Sequence, residues 1–150
     1  MTVTNTSEDG NGVHMRNAKI ELFDVALKEC TNNAYAINMR GSKSNNRSTL
    51  VAARCDFTNN FGGVSVKYGI VRLTDCTIKR NKYFGIFAEK SDVHLHGEAT
   101  AIANNTRCGI YACGFAKILI HLPSHHNTIY NNKNGDRQTV GGATITNVED

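Results

Sequence analysis

No stretch of this chain approaches the roughly 18 consecutive apolar residues that a membrane-spanning helix needs, and the N-terminus, Met1-Thr-Val-Thr-Asn-Thr6, lacks the basic-then-apolar pattern of a secretion signal. A soluble chain without membrane contact is expected, and nothing assigns it a compartment. Lysine and arginine form no run: Arg16, Lys28, Arg54, Arg80 and Lys117 are scattered, and the formal net charge is only +4. Nucleic acid is therefore not an expected partner. No two of the five cysteines have the CxxC spacing of a zinc ribbon. Leucines are few and helical periodicity is missing, which counts against a leucine-rich repeat even though Leu73-x-x-Cys76-x-Ile78-x-x-Asn81 fits its phrase. The strict hexapeptide period of a left-handed β-helix is absent as well.

What the chain does contain is a recurring phrase. Cys55-x-Phe57-x-x-Asn60 is followed by Gly63-Val64, Cys76-x-Ile78-x-x-Asn81 by Gly85-Ile86, and Thr100-x-Ile102-x-x-Asn105 by Gly109-Ile110, with Asn127-x-Ile129-x-x-Asn132 as a fourth copy. The Asn positions are separated by steps of 21, 24 and 27 residues, and an earlier copy carries Cys30 at the Asn position. Each repeat holds three short segments of period-two alternation, such as Gly85-Ile86-Phe-Ala88, Val93-His-Leu95 and Thr100-Ala-Ile102. Alternation at this period means strands.

Three strands per repeat suit a coil that hydrogen-bonds to the coils above and below it, so that equivalent side chains stack. The expected inward columns are Ile37, Val64, Ile86 and Ile110; Ile20, Leu50, Val71, Val93 and Ile120; and Leu27, Phe57, Ile78, Ile102 and Ile129. With 40% hydrophobic residues the 150-residue chain can fill such a core as one domain over 1–150. Cys55 and Cys76 fall at one place in successive repeats, beside Val25, and read as buried apolar filler. The Asn residues read as corner hydrogen-bonders. Gly63, Gly85 and Gly109 mark a corner needing positive φ or no side chain, a place Ala36 fills in an earlier coil. Ser42 to Arg47 reads as an exposed insertion, and Lys133 to Gln138 as a second polar excursion.

The combination of Gly-Ile/Val, Val-x-Leu and Cys-x-Ile-x-x-Asn resembles the right-handed parallel β-helix repeats of the pectate-lyase-like superfamily, over roughly residues 12 to 132. The resemblance implies an all-β, right-handed parallel β-helix of about five coils with three short strands each. It also implies a range of functions: pectate and alginate lyases, polygalacturonases, epimerases, phage tailspikes, and non-catalytic surface and recognition modules. The polygalacturonase phrases, an Asp pair, Gly-His-Gly and Arg-x-Lys, have no counterpart here. Pectate lyases hold calcium in clustered carboxylates, for which Asp24, Asp56 and Asp75 are the nearest candidates. Asp24, Arg54 and Asp75 share one column, however, and an alternating charge stack is the preferred reading. The expectation is a non-catalytic binding or structural module that recognises carbohydrate or a protein along its side. Its alternative is a polysaccharide lyase or glycoside hydrolase, with calcium as cofactor if it is a lyase.

The candidate ligand-binding residues lie on outward columns. Counting back from Asn105 and Asn132 stacks His94 on His121, with Arg72 one coil earlier and Glu21 at the start of the column; Arg72 with histidine support suits an acidic sugar or another anion. His96 shares the face of His94, but Pro123 falls where its partner on the next coil should be, so no metal site is expected. A second outward column, His14, Asn38, Ser65, Phe87 and Tyr111, offers aromatic rings to a sugar or to a subunit contact, side by side with another copy. Leu122 to Asn127 and Ile145 to Asp150 are distinctive but tied to no activity. Val3-Thr-Asn-Thr-Ser-Glu-Asp9 resembles Ile145-Thr-Asn-Val-Glu-Asp150, and no capping helix is evident. A segment of a longer repeat protein, or a module that self-associates end to end, is expected.

Overall fold

A computed structural model of the chain describes residues 1–7, 10–43, 47–121 and 128–149. The chain winds as a parallel β-solenoid of six turns, and no helix occurs among the described residues. Each turn contributes one strand to each of three six-stranded sheets. The first sheet stacks β1 (Thr2–Thr4), β4 (Ala26–Lys28), β7 (Asp56–Thr58), β10 (Thr77–Lys79), β13 (Ala101–Ala103) and β16 (Ile129–Tyr130). The second stacks β2 (Val13–Arg16), β5 (Tyr35–Arg40), β8 (Gly62–Lys67), β11 (Ile86–Glu89), β14 (Ile110–Cys113) and β17 (Arg137–Thr139). The third stacks β3 (Lys19–Phe23), β6 (Ser48–Ala53), β9 (Gly69–Thr74), β12 (Asp92–His96), β15 (Lys117–His121) and β18 (Thr144–Val148). The turn beyond the expected five comes from end coils that lack the Asn phrase. Val3 pairs with Leu27 in the first sheet while Ile145 pairs with Ile118 in the third, so the two similar termini occupy different places in the repeat. The 122–127 segment and positions 44–46 of the insertion lie outside the described residues.

Two of the expected inward columns pair as read: Ile37, Val64, Ile86 and Ile110 on the second sheet, and Leu27, Phe57, Ile78, Ile102 and Ile129 on the first. In the third sheet the column runs Ile20, Leu50, Val71, Val93 and then Ile118, where Ile120 was expected. Counting back from Asn132 assumes that all the extra residues of that coil precede the strand; two of them enter between Ile120 and Ile129. From Leu50 to Ile118 these inward side chains are fully buried, each stabilising the fold by about 1.5–3 kcal/mol.

Corners at recurring places carry a residue in the left-handed region: Glu29, Asn59, Arg80, Asn104 and Asn131 leaving the first sheet, Asp24, Arg54, Asp75 and Gly97 leaving the third. The Asn following the first of these bends ties adjacent coils together. The backbone N–H of Asn60 donates to Asn81 Oδ1 at 3.0 Å, that of Asn81 to Asn105 Oδ1 at 3.1 Å, and that of Asn105 to Asn132 Oδ1 at 3.0 Å. Their Nδ2 groups donate backwards, Asn60 to the Leu27 carbonyl, Asn81 to that of Phe57 and Asn105 to that of Ile78. One side chain therefore satisfies both a donor and an acceptor of the preceding coil. Cys30 takes this position at the start of the ladder, its N–H donating to Asn60 Oδ1 while its own side chain carries no amide to continue the ladder.

Gly63, Gly85 and Gly109 do not have positive φ. A Cβ on Gly85 would lie 2.6 Å from the Gly109 carbonyl oxygen and 2.7 Å from Ile102 Cγ2, so close approach of adjacent coils excludes a side chain. Four cysteines are buried, but Cys113 is only half-buried on the outer face of β14 and is not core filler.

Candidate functional site

The expected site residues fall on two faces. Phe87 and Tyr111 pair across β11 and β14, their rings parallel within 4° and their centroids 5.7 Å apart. They extend into a longer run that sequence reading missed. Phe84, which is 5% exposed, stacks on both, with centroids 5.7 Å from Phe87 and 5.0 Å from Tyr111. Tyr83 packs edge-on against Phe84 at 4.4 Å, Phe61 stacks on Tyr83 at 5.1 Å, and Tyr35 meets Phe61 edge-on at 6.2 Å. The Arg107 guanidinium lies 4.7 Å from the Tyr83 centroid and 5.4 Å from that of Phe84, and donates to the Tyr83 hydroxyl. The signal was present in the sequence: an aromatic or Arg stands one or two residues ahead of the Gly in Phe61-Gly62, Phe84-Gly85 and Arg107-Cys-Gly109. The outcome is a strip of rings over four successive coils along the corner between the first and second sheets. Beside it lies an open groove of about 360 Å³, lined by Lys82, Tyr83, Thr106, Arg107, Lys133 and Asn134.

A second groove, about 420 Å³, forms where the insertion after β5 meets the corner between the second and third sheets. Ser42, Lys43 and Arg47 line one part of it, Tyr68, Lys90 and Phe115 another. Lys90 Nζ lies 5.4 Å from the Tyr68 ring centroid and 3.2 Å from its hydroxyl, and Phe115 is 77% exposed. Arg47 is held by Asp92 at 2.8 Å and by the Gly69 carbonyl. Both grooves thus set cations against aromatic rings.

The other candidate residues lie on the outer face of the third sheet. Arg72 pairs with His94, as expected. His121 does not pair with His94: the register places Leu119 opposite His94 and Ile120 opposite Leu95, and its next step sets His121 beside His96. Those two rings stack with centroids 4.0 Å apart, while His94 Nδ1 and His121 Nε2 are 2.9 Å apart across the diagonal. Burial lowers the His94 pKa below the ordinary imidazole value, and the nearby His121 and Arg72 charges lower it further, against the opposing pull of Asp92. The three imidazoles converge, with His121 beside His96 where the sequence register set it beside His94.

The carboxylates proposed for calcium do not meet around a common point; among the described residues the histidines form the one group of three or more potential metal ligands. Asp24 receives both Nε and Nη2 of Arg54, at 2.7 and 2.8 Å, and that paired hydrogen bond holds its carboxyl below the usual value. Asp56 pairs with Lys28 at 2.8 Å, and Asp75 Oδ1 accepts the Ala99 N–H. Both members of the Asp24–Arg54 pair are well exposed, so it contributes little to stability. No family model, no curated protein and no solved structure matches this chain.

Proposed function

We propose that the chain is a non-catalytic binding module that holds an acidic polysaccharide along the aromatic corner, with Arg107, Lys82 and Lys133 receiving the carboxylate or sulfate groups. The reading is carried by one observation, the strip of rings from Tyr35 to Tyr111 that runs beside a cation-lined groove. Strands of adjacent coils lie about 4.8 Å apart, so the parts of the half-buried Phe61, Tyr83, Phe87 and Tyr111 rings left uncovered recur at intervals on the scale of one sugar unit, with Phe84 buried beneath them. A pyranose presents an apolar face to such a ring, and an acidic substituent adds a charge-assisted hydrogen bond to guanidinium or ammonium. Binding is expected to be fixed in geometry because the platforms sit on strands and short corners rather than on long loops.

The test is retention of the chain on immobilised polyuronates and sulfated polysaccharides against neutral xylan and cellulose. Selective retention that falls with added salt is the expected result. Equal retention on neutral and acidic polymers would remove the role given to Arg107 and the lysines. Release of unsaturated or new reducing ends from a polyuronate would replace this reading with that of a lyase or hydrolase.

A further inference from the structure

We propose that His94, His96 and His121 form a binding site for a divalent transition-metal ion of the zinc type on the outer face of the third sheet. Two residues apart on β12, His94 and His96 project from the same face. The parallel register of β12 with β15 then brings His121 beside them from the next coil. All three can offer ring nitrogens within 4.8 Å of one another, and all three side chains are half-buried. A tetrahedral zinc ion with Zn–N bonds of 2.0–2.1 Å needs nitrogens about 3.3 Å apart. His94 Nδ1 and His121 Nε2, at 2.9 Å, are already near that separation. Completing the set requires side-chain rotation on the fixed strands, chiefly of His96, whose ring lies stacked on that of His121.

The donor chemistry selects the ion. Three neutral imidazoles suit zinc, copper, nickel or cobalt, whereas calcium and magnesium take oxygen ligands. Between His94 and His121 one facing nitrogen must carry a hydrogen and the other accept it. On metal binding that ring moves its hydrogen to its other nitrogen through solvent, so the neutral pair takes up the ion with no net proton change. Arg72, paired with His94, opposes the cation but favours an anion as the fourth ligand. The outer-face position leaves the site reachable from solvent, which fits a small anionic ligand at the metal better than a closed structural site.

Zinc titrated into the untagged full chain, with a chelator in competition, tests the proposal. One ion per chain is expected, with calcium failing to compete and cobalt giving the intense visible bands of a tetrahedral site. H96N or H121N should weaken zinc binding by at least about 10-fold, the lower end of what loss of even a supporting ligand costs. Unaltered zinc affinity in the H94N/H96N/H121N variant, or no zinc uptake by the wild-type chain, would overturn the site. A second measurement needs no variant: zinc should slow diethylpyrocarbonate modification of His94, His96 and His121, mapped by peptide mass spectrometry. Modification of all three at the metal-free rate under saturating zinc would equally refute it.

Discussion

Replacing Asn81 by alanine cuts the hydrogen-bonded ladder near its middle. The wild-type side chain accepts the Asn60 N–H at 3.0 Å and donates to the Phe57 carbonyl at 3.2 Å, and both groups are buried between coils. The N–H of residue 81 itself keeps its acceptor, Asn105 Oδ1, so the damage does not spread up the ladder. Two backbone groups are left without partners, at roughly 1–3 kcal/mol each, which sets the expected loss at about 4 kcal/mol. Cys30→Ala at the equivalent position is the internal comparison. Its N–H bond to Asn60 is retained and its sulfur makes a long 3.8 Å contact to the Lys28 carbonyl. The loss there is that of a few buried atoms, about 1 kcal/mol. Urea unfolding followed by circular dichroism, with unchanged slopes, would read both values. A loss under about 1 kcal/mol for Asn81→Ala, or equal losses for the two variants, would refute the view that the side-chain ladder joins the coils.

Gly85→Ala forces a methyl against the Gly109 carbonyl and Ile102 and should cost about 1–3 kcal/mol in the same assay; a neutral result would show that adjacent coils can separate. Burial pushes the Cys76 thiol up to about 12. In native protein, a disulfide reagent should therefore label the half-buried Cys113 first and leave Cys76 untouched, with all five thiols reacting in urea. Early labelling of Cys76 would contradict its place in the core.

The architecture was legible because the repeat marks its own corners. Asn60, Asn81, Asn105 and Asn132 stand where one side chain must serve both a donor and an acceptor of the preceding coil, and no other residue type supplies both at that length. The ends were less legible: β1, β2 and β17 carry no Asn phrase, and Arg137, Gln138 and Thr139 are exposed, so apolar alternation fades. The site was legible in part. Phe87, Tyr111, Arg72 and His94 were placed correctly, since their coils have no insertion between the strand and its reference point. His121 was displaced by two positions because two extra residues fall between β15 and β16, so it stands beside His96 rather than beside His94. The rings of Tyr35, Phe61, Tyr83 and Phe84 escaped notice because corner residues follow no period-two pattern; their alignment is visible only once coils are stacked. Ser42 to Arg47 was recognisable as an insertion, but only the fold brings Lys90 and Phe115 to face it.

Titration calorimetry of a defined acidic oligosaccharide into the wild-type chain and into Arg107→Ala tests the central claim most directly. Loss of a charge-assisted hydrogen bond at 1.5–3 kcal/mol predicts about 10- to 100-fold weaker binding in the variant. The corresponding neutral oligosaccharide should bind both proteins alike. Equal affinity of the acidic ligand for wild type and Arg107→Ala would contradict the proposed binding along this corner.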